Sequence, residues 1–144
     1  MKILSQASNY GIRALAYLVT QESDGYISIG KISEELDISF HFLTKTFQLL
    51  SKQGLITSYR GPSGGIALSR PAEDIYLNEV IEILEGKDFF DTCLLGLPGC
   101  GEAEPCPVHD FWKVYREKMK IEFSTTSLAD LGTRVKVGNM RIRE

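Results

Sequence analysis

The stretch from Ser28 to Arg70 constrains the fold more than any other part of the chain. Two short amphipathic segments flank a tight break at Asp37-Ile38, and two β-prone runs follow at once on either side of Gly61-Pro62-Ser63-Gly64-Gly65. Ser28 offers an N-cap hydroxyl, and Ile32 and Leu36 fall four apart on one side, which predicts a helix over Ile29–Leu36. Ser39 is a good cap for a next helix running to about Gln53, and Gly54 stands where a left-handed C-terminal glycine belongs. On that helix Phe40, Leu43, Phe47 and Leu50 recur at helical spacing and are expected to face inward. The runs 55–60 and 66–70 with their Gly/Pro turn read as a hairpin. A helix-turn-helix followed directly by a hairpin is the winged-helix order. The fold class expected is mainly α with a small β-hairpin wing.

The flanking segments complete the plan. A first helix is predicted over 8–20, where Ile12, Leu15, Ala16, Leu18 and Val19 fill one broad face, and Ser23-Asp24-Gly25 ends it. A fourth, over 77–85, buries Val80, Ile81 and Leu84 and stops at Gly86. Residues 89–105 are rich in Gly and Pro and need something to order them. Pro107 suits the first position of a long helix reaching about 124. Val108, Phe111, Trp112, Tyr115, Met119 and Phe123 recur along it every three or four residues, more apolar surface than so small a chain readily covers. This long helix is therefore expected to cross a twin in a homodimer. A short helix near 127–131 and a frayed polar end follow. The organisation read from this is a winged helix-turn-helix over 1–72, an acidic helix and cysteine-bearing loop over 73–106, a long dimerisation helix and a short successor over 107–131, and a polar tail over 132–144.

With 144 residues, 43% apolar and 24% charged, the chain fits one ordinary globular domain. No apolar run approaches the roughly 20 residues of a membrane span, and the first residues lack the apolar core of a secretion signal. A cytoplasmic protein without membrane contact is the expectation. The net charge of −3 is unevenly spread: residues 1–70 hold seven Lys/Arg against five Asp/Glu, and residues 71–144 hold nine against fourteen. From Ile38 to Ala72 there is no acidic residue, while Lys45, Lys52, Arg60 and Arg70 all lie there. Such a window can face a polyanion although the whole chain is acidic. Opposite the inward stripe of the helix after Ser39 lie His41, Thr44, Lys45, Gln48 and Lys52. A face of donors and cations without a carboxylate suits a DNA major groove, with phosphate walls and a floor of mainly acceptors. Lys45 and Gln48 are placed to reach base edges, Lys52 to meet the backbone, and Arg60 to enter a minor groove from the wing.

Cys93, Cys100 and Cys106 lie within fourteen residues, followed by His109. An odd, clustered set in a chain without a secretion signal points to a metal site or redox sensor, not to disulfides. Three thiolates and an imidazole complete a four-ligand set that fits zinc or an iron–sulfur cluster. Asp91, Glu102, Glu104 and Asp110 are nearby oxygen donors, a thiol switch without metal is a further reading, and the spacing is also similar, more loosely, to CCCH zinc fingers that bind RNA.

Tyr10-Gly11-Ile12-Arg13-Ala14-Leu15, Ile32-Ser33-Glu34 to Ile38-Ser39, Lys52-Gln53-Gly54-Leu55-Ile56, Arg60-Gly61-Pro62-Ser63-Gly64-Gly65 and the Cys-Cys-Cys-x-x-His cluster together resemble the IscR/NsrR family of bacterial transcription regulators. The likeness runs from Ser5 to about Leu131. It implies a homodimeric winged-helix protein that binds an imperfect palindrome in promoter double-stranded DNA, with repression the more common outcome. Ser39 and the wing-tip residues Gly61, Pro62, Ser63 and Gly64 join the six polar residues above in the expected DNA-binding set. The resemblance also implies that Cys93, Cys100 and Cys106 hold an iron–sulfur cluster of two or four irons. Family members take the fourth ligand either from a histidine just after the third cysteine, here His109, or from a carboxylate near the partner's N-terminus, a place that falls near Ser8 in this chain. The first cysteine gap is one residue longer than in relatives, and Thr44 stands where cluster-sensing relatives carry an acid. No nucleotide loop, catalytic pair or flavin motif stands out, so an enzyme is not expected. A zinc-stabilised repressor and an iron–sulfur electron carrier are the competing functions.

Overall fold

The computed structural model describes residues 2–21 and 25–144. The expected helix stop at Ser23-Asp24 lies outside the described residues. Six helices and one hairpin follow in order: α1 (Gln6–Thr20), α2 (Ile29–Leu36), α3 (Phe40–Lys52), β1 (Ile56–Tyr59), β2 (Gly65–Leu68), α4 (Leu77–Glu85), α5 (His109–Thr125) and α6 (Leu128–Lys136). Single 3-10 turns at Ala72–Asp74 and Phe89–Asp91 lead into and out of α4. The mainly α fold with a hairpin wing is thus the one expected.

Local chemistry explains each boundary. Ser5, Ser28 and Ser39 accept hydrogen bonds from the amides of Ser8, Lys31 and Phe42 and so cap α1, α2 and α3. Because Ser5 is the cap, α1 starts two residues before the sequence expectation. Between α2 and α3, Asp37 takes the left-handed conformation (φ 53°), and the Ser33 hydroxyl donates to the Ile38 carbonyl at 2.5 Å. The helix-turn-helix is thereby closed by three residues, Asp37 to Ser39.

The hairpin pairs Ile56 with Leu68 through Tyr59 with Gly65, and is anchored to the chain before α2 by reciprocal bonds between Ile27 and Ile66 at 3.0 and 2.8 Å. At Gly65 (φ 156°) a Cβ would stand 2.1 Å from the Ile27 carbonyl oxygen, so only glycine lets the wing close against that segment. This third, one-residue partner of the sheet was not legible from hairpin periodicity.

One apolar core joins α1 to α4, both strands and α6: Leu15, Ile32, Leu43, Phe47, Leu50, Leu55, Ile66, Val80 and Leu128 are all essentially inaccessible. Phe40 departs from the expected inward stripe. It is 50% exposed, because as first residue of α3 it projects over the turn beyond the core's last layer. Thr46 is buried instead, its hydroxyl satisfied by the Phe42 carbonyl at 3.0 Å, and Phe42 meets Tyr10 edge to face.

Two differences concern the C-terminal third. Pro107 is not the first residue of α5, which begins at His109 with Val108 as cap, since the His109 amide still bonds the Cys106 carbonyl in a preceding turn. The short helix expected near 127–131 is longer. A Ser127/Asp130 capping box starts α6, which runs on to Lys136 with Gly132 packed against Val19. The last residues return along α1, with Arg13 Nε donating to the Ile142 carbonyl at 2.5 Å and Ile142 against the core.

Candidate functional site: a winged-helix face and a thiol-bearing loop

The face opposite the core on α3 carries His41, Lys45, Gln48 and Lys52, all exposed, with Thr44 half-buried beside them. Ser39 at its head is exposed but spends its hydroxyl on capping, and Thr44 donates to the Phe40 carbonyl at 2.8 Å, which leaves its oxygen free to accept. Arg60, Gly61, Pro62 and Ser63 are exposed at the wing tip and Gly64 lies just inside it. Lys45, Lys52 and Arg60 have no ion-pair partner among the described residues. Arg70, the fourth cation of the acid-free window, is taken by Glu79 of α4 in an ion pair. Between α3 and the wing runs a groove of 690 Å³, lined by Phe40, Thr44, Gln48, Lys52, Tyr59 and Arg60 among others. The structure thus brings the helix residues and Arg60 to one surface. Periodicity missed the exposed aromatics of that groove, Phe40 and Tyr59, because apolar residues were assigned to the interior.

The three cysteines and His109 converge between the end of α4 and the start of α5. Cys93 Sγ lies 3.7 Å from Cys106 Sγ, and Cys100 Sγ lies 3.6 Å from His109 Nδ1. Two thiolates on one tetrahedral metal ion stand about 3.8 Å apart, so the first pair already has a metal-like separation. The donors nevertheless come as two pairs: among the described residues no three His, Cys, Asp or Glu side chains gather tightly enough to hold a single ion. The chemistry of the donor set fits a thiolate-bound metal or iron–sulfur centre.

Several contacts prepare these donors. The Cys93 thiol is held below its usual range chiefly by the Leu97 amide, with burial opposing and the Leu95 amide and the Cys106 and Cys100 thiols adding to it. His109 is only 2% exposed, and its Nε2 faces Glu102 Oε1 at 3.4 Å while Lys113 Nζ holds the same oxygen at 2.8 Å. With Nε2–H donated to the carboxylate, the other nitrogen, Nδ1, presents its lone pair toward Cys100. Glu102, a possible oxygen ligand by sequence, is occupied in that way, its carboxyl held below the usual range first by the Lys113 bond and then by His109. In the first turn of α1, Ser8 is fully buried and donates to Glu85 Oε1 at 2.5 Å, which Ser5's amide also approaches at 2.7 Å. The N-terminal place near Ser8, where the resemblance allowed for a carboxylate, thus carries a buried hydroxyl bonded to Glu85.

The loop is tied to α5 by two donors sharing one acceptor. Trp112 Nε1 donates to the Thr92 carbonyl at 2.8 Å, and Arg116 Nη1 reaches the same oxygen at 3.3 Å and Cys100 Sγ at 3.2 Å. Arg116 Nε is shielded from solvent without a partner, a state that costs about 1–3 kcal/mol for a polar group. Phe90 packs edge to face on Phe123. The rest of α5 is poorly covered: Phe111 (52%), Val114, Tyr115 and Ile121 (each 60%) are exposed, and His109 is the helix's one buried residue. The aromatic stripe expected from sequence is thus split, with Trp112, Met119 and Phe123 half-buried on the loop side and Phe111 and Tyr115 facing out.

Fold and site define a class, a winged-helix protein with a thiol-bearing loop appended between its fourth and fifth helices. Residues 4–134 match the Rrf2 family of iron-dependent transcriptional regulators, and the chain belongs to that family. The resemblance read from its motifs therefore holds. The transcriptional regulator IscR of Xenorhabdus nematophila is 30% identical over 128 residues, covering 89% of this chain and 77% of the relative. Among solved structures, IscR of T. potens superposes with a TM-score of 0.76 at 25% identity, covering 98% of this chain and 93% of that one. CymR, the global cysteine regulator of B. subtilis, gives the same TM-score at 26% identity, covering 92% and 98%. The chain is accordingly a transcriptional regulator of the Rrf2 type. Among the described residues no helix is long and apolar enough to cross a membrane.

Proposed function

We propose that this protein is a homodimeric DNA-binding repressor whose affinity for promoter DNA is set by an iron–sulfur cluster held by Cys93, Cys100, Cys106 and His109. The observation that carries the reading is the approach of three loop thiols and the buried imidazole at the start of α5, in two close pairs, in a winged-helix chain from an iron-dependent family. His109 is the fourth ligand, because its second nitrogen is already engaged by Glu102 and because Ser8 is closed off by Glu85. When bound, the cluster supplies a redox- and nitric-oxide-sensitive centre of two or four irons.

The chain's own residues carry the consequence to the DNA. Trp112 and Arg116 bind the loop at Thr92 to α5, and Phe90 binds it to Phe123. α4, which precedes the loop, reaches α1 through Glu85 and the base of the wing through the Glu79–Arg70 pair. A loop that loses its order thus loosens α4 and α5 together and changes the tilt of the wing and of α3. Two α3 helices reading half-sites about 34 Å apart tolerate little such change. The exposed apolar face of α5 is the surface that a second copy covers. Ser39, His41, Thr44, Lys45, Gln48 and Lys52 meet the major groove and its walls, and Arg60 with Gly61 to Gly64 follows the backbone into the minor groove.

The test is an anaerobic purification with absorption spectrum and iron, sulfide and zinc analysis. Visible cluster bands with iron and sulfide near stoichiometry are expected. A colourless protein with one zinc per chain contradicts the cluster. A second reading, a thiol switch without metal, is favoured by the 3.7 Å separation of Cys93 and Cys106 and by the structural kinship with a cysteine regulator. It predicts no metal and a Cys93–Cys106 disulfide after mild oxidation.

A further inference from the structure

We infer that Arg116 is a positioning residue of the cysteine site, holding the Cys93–Cys100 segment against α5 and placing a positive charge on the Cys100 sulfur. This rests on the proposed reading of the cysteines as cluster ligands. None of the expected site residues includes Arg116, since it sits ten positions after Cys106 on the long helix, with no motif around it.

Geometry singles it out. One guanidinium nitrogen reaches both Cys100 Sγ at 3.2 Å and the Thr92 carbonyl at 3.3 Å, so a single donor group bridges the residue before Cys93 to Cys100 itself. No other cation contacts a cysteine sulfur among the described contacts, and Lys113, the basic residue one turn earlier on the helix, is spent on Glu102. Arginine is the side chain suited to this task, as its planar fork keeps its charge at all accessible pH and makes several bonds from one rigid group. Its Nε, shielded and without a partner, marks an environment in which the guanidinium has more donors than the protein alone satisfies. An electron-rich sulfur centre beside Cys100 is an acceptor of the right kind for such a donor.

Two consequences follow from charge and from tethering. Hydrogen bonds and positive charge at the sulfurs favour the reduced, more negative state of an iron–sulfur centre, so removing them lowers its midpoint potential. Tethering restrains the loop even in the metal-free protein. Trp112 shares the Thr92 carbonyl, and therefore separates the two roles: Trp112→Phe removes the tether's other strand without touching the charge at Cys100.

The experiment uses the full-length protein as wild type, Arg116→Gln, Arg116→Lys and Trp112→Phe. In the metal-free form, hydrogen exchange of the backbone amides over 93–101 is expected to speed up at least tenfold in Arg116→Gln, with α1 to α3 unchanged. After reconstitution with ferrous iron and sulfide, the Arg116→Gln cluster is expected at a lower midpoint potential and to be lost to EDTA at least tenfold faster. Arg116→Lys restores the potential but only part of the exchange protection, and Trp112→Phe weakens the protection and leaves the potential in place. Wild-type potential, release rate and loop exchange in Arg116→Gln overturn the inference. A wild-type protein that takes up no iron and sulfide overturns the cluster reading instead, and the metal-free exchange then decides the positioning role by itself.

Discussion

The winged-helix part and the cysteine-bearing part of this molecule are held together in different ways. In α1 to α3 and the wing, side chains such as Leu15, Ile32, Leu43 and Phe47 lose all contact with water, and each helix start has its own capping serine. From Phe89 to Thr125 burial is confined to Phe90, Cys93 and His109, and the segment is held largely by individual contacts: two donors on the Thr92 carbonyl, the Glu102 bonds to His109 and Lys113, the close sulfur contacts of the cysteines, and edge-to-face packing of Phe90 on Phe89 and Phe123. α5 leaves its apolar face to solvent. The first region is held by burial; the second is held by a small number of polar and aromatic contacts and leaves apolar side chains of α5 exposed. Under the proposed function that division is useful, because a DNA-reading head keeps its shape while the cysteine-bearing segment changes state.

The contrast can be broken from either side. The largest effect is expected from Phe47→Ala, which empties a fully buried ring site shared by α3 and the core and should cost about 3–5 kcal/mol in urea unfolding. Next is Ile121→Glu on the exposed face of α5, expected to weaken self-association at least 100-fold, about 2.7 kcal/mol, while the protomer's helix content stays as it was. Sedimentation velocity reads the first quantity and circular dichroism the second. Lys45→Ala removes one exposed, unpaired cation from α3 and should lower the slope of log affinity against log salt by about 1 per protomer.

A smaller effect sits at the seam between the regions. Burial pushes the Glu85 carboxyl up, but the bonds from the Ser5 and Ser8 hydroxyls and the Ser5 amide outweigh it, so the folded value lies below the ordinary one. Its contribution is therefore complete above the unfolded value near pH 4.3 and is lost as pH falls through the folded value. Glu85→Gln should flatten the acid limb of stability by up to about 1 kcal/mol, read from melting temperatures between pH 3 and 7. Least of all, Cys106→Ala should change metal-free stability by under about 0.5 kcal/mol, since Cys106 is half-buried and makes one weak sulfur contact.

What sequence reasoning could see follows the same division. Capping serines, the αL turn at Asp37 and the glycine turn are local signals, and they fixed the helix-turn-helix and wing to within a residue or two. Cys-Cys-Cys-x-x-His is likewise local in composition, so its residues were found before their geometry was. What stayed hidden depends on distant partners. Ile27 joins the sheet only because Gly65 admits it, Ile142 packs on α1 from the far end of the chain, and Arg116 meets Cys100 across about two turns of helix and a folded loop. Phe40 was misplaced because periodicity extends a stripe past the point where the core ends.

In the proposed function the metal state of the loop is read out at the DNA face. Fluorescence anisotropy on a promoter duplex at fixed salt, with cluster-loaded and metal-free forms of one preparation, tests it most directly. Dissociation constants at least tenfold apart are expected for the two forms, and equal constants after Cys100→Ala. Equal constants for the loaded and metal-free wild-type protein would contradict it.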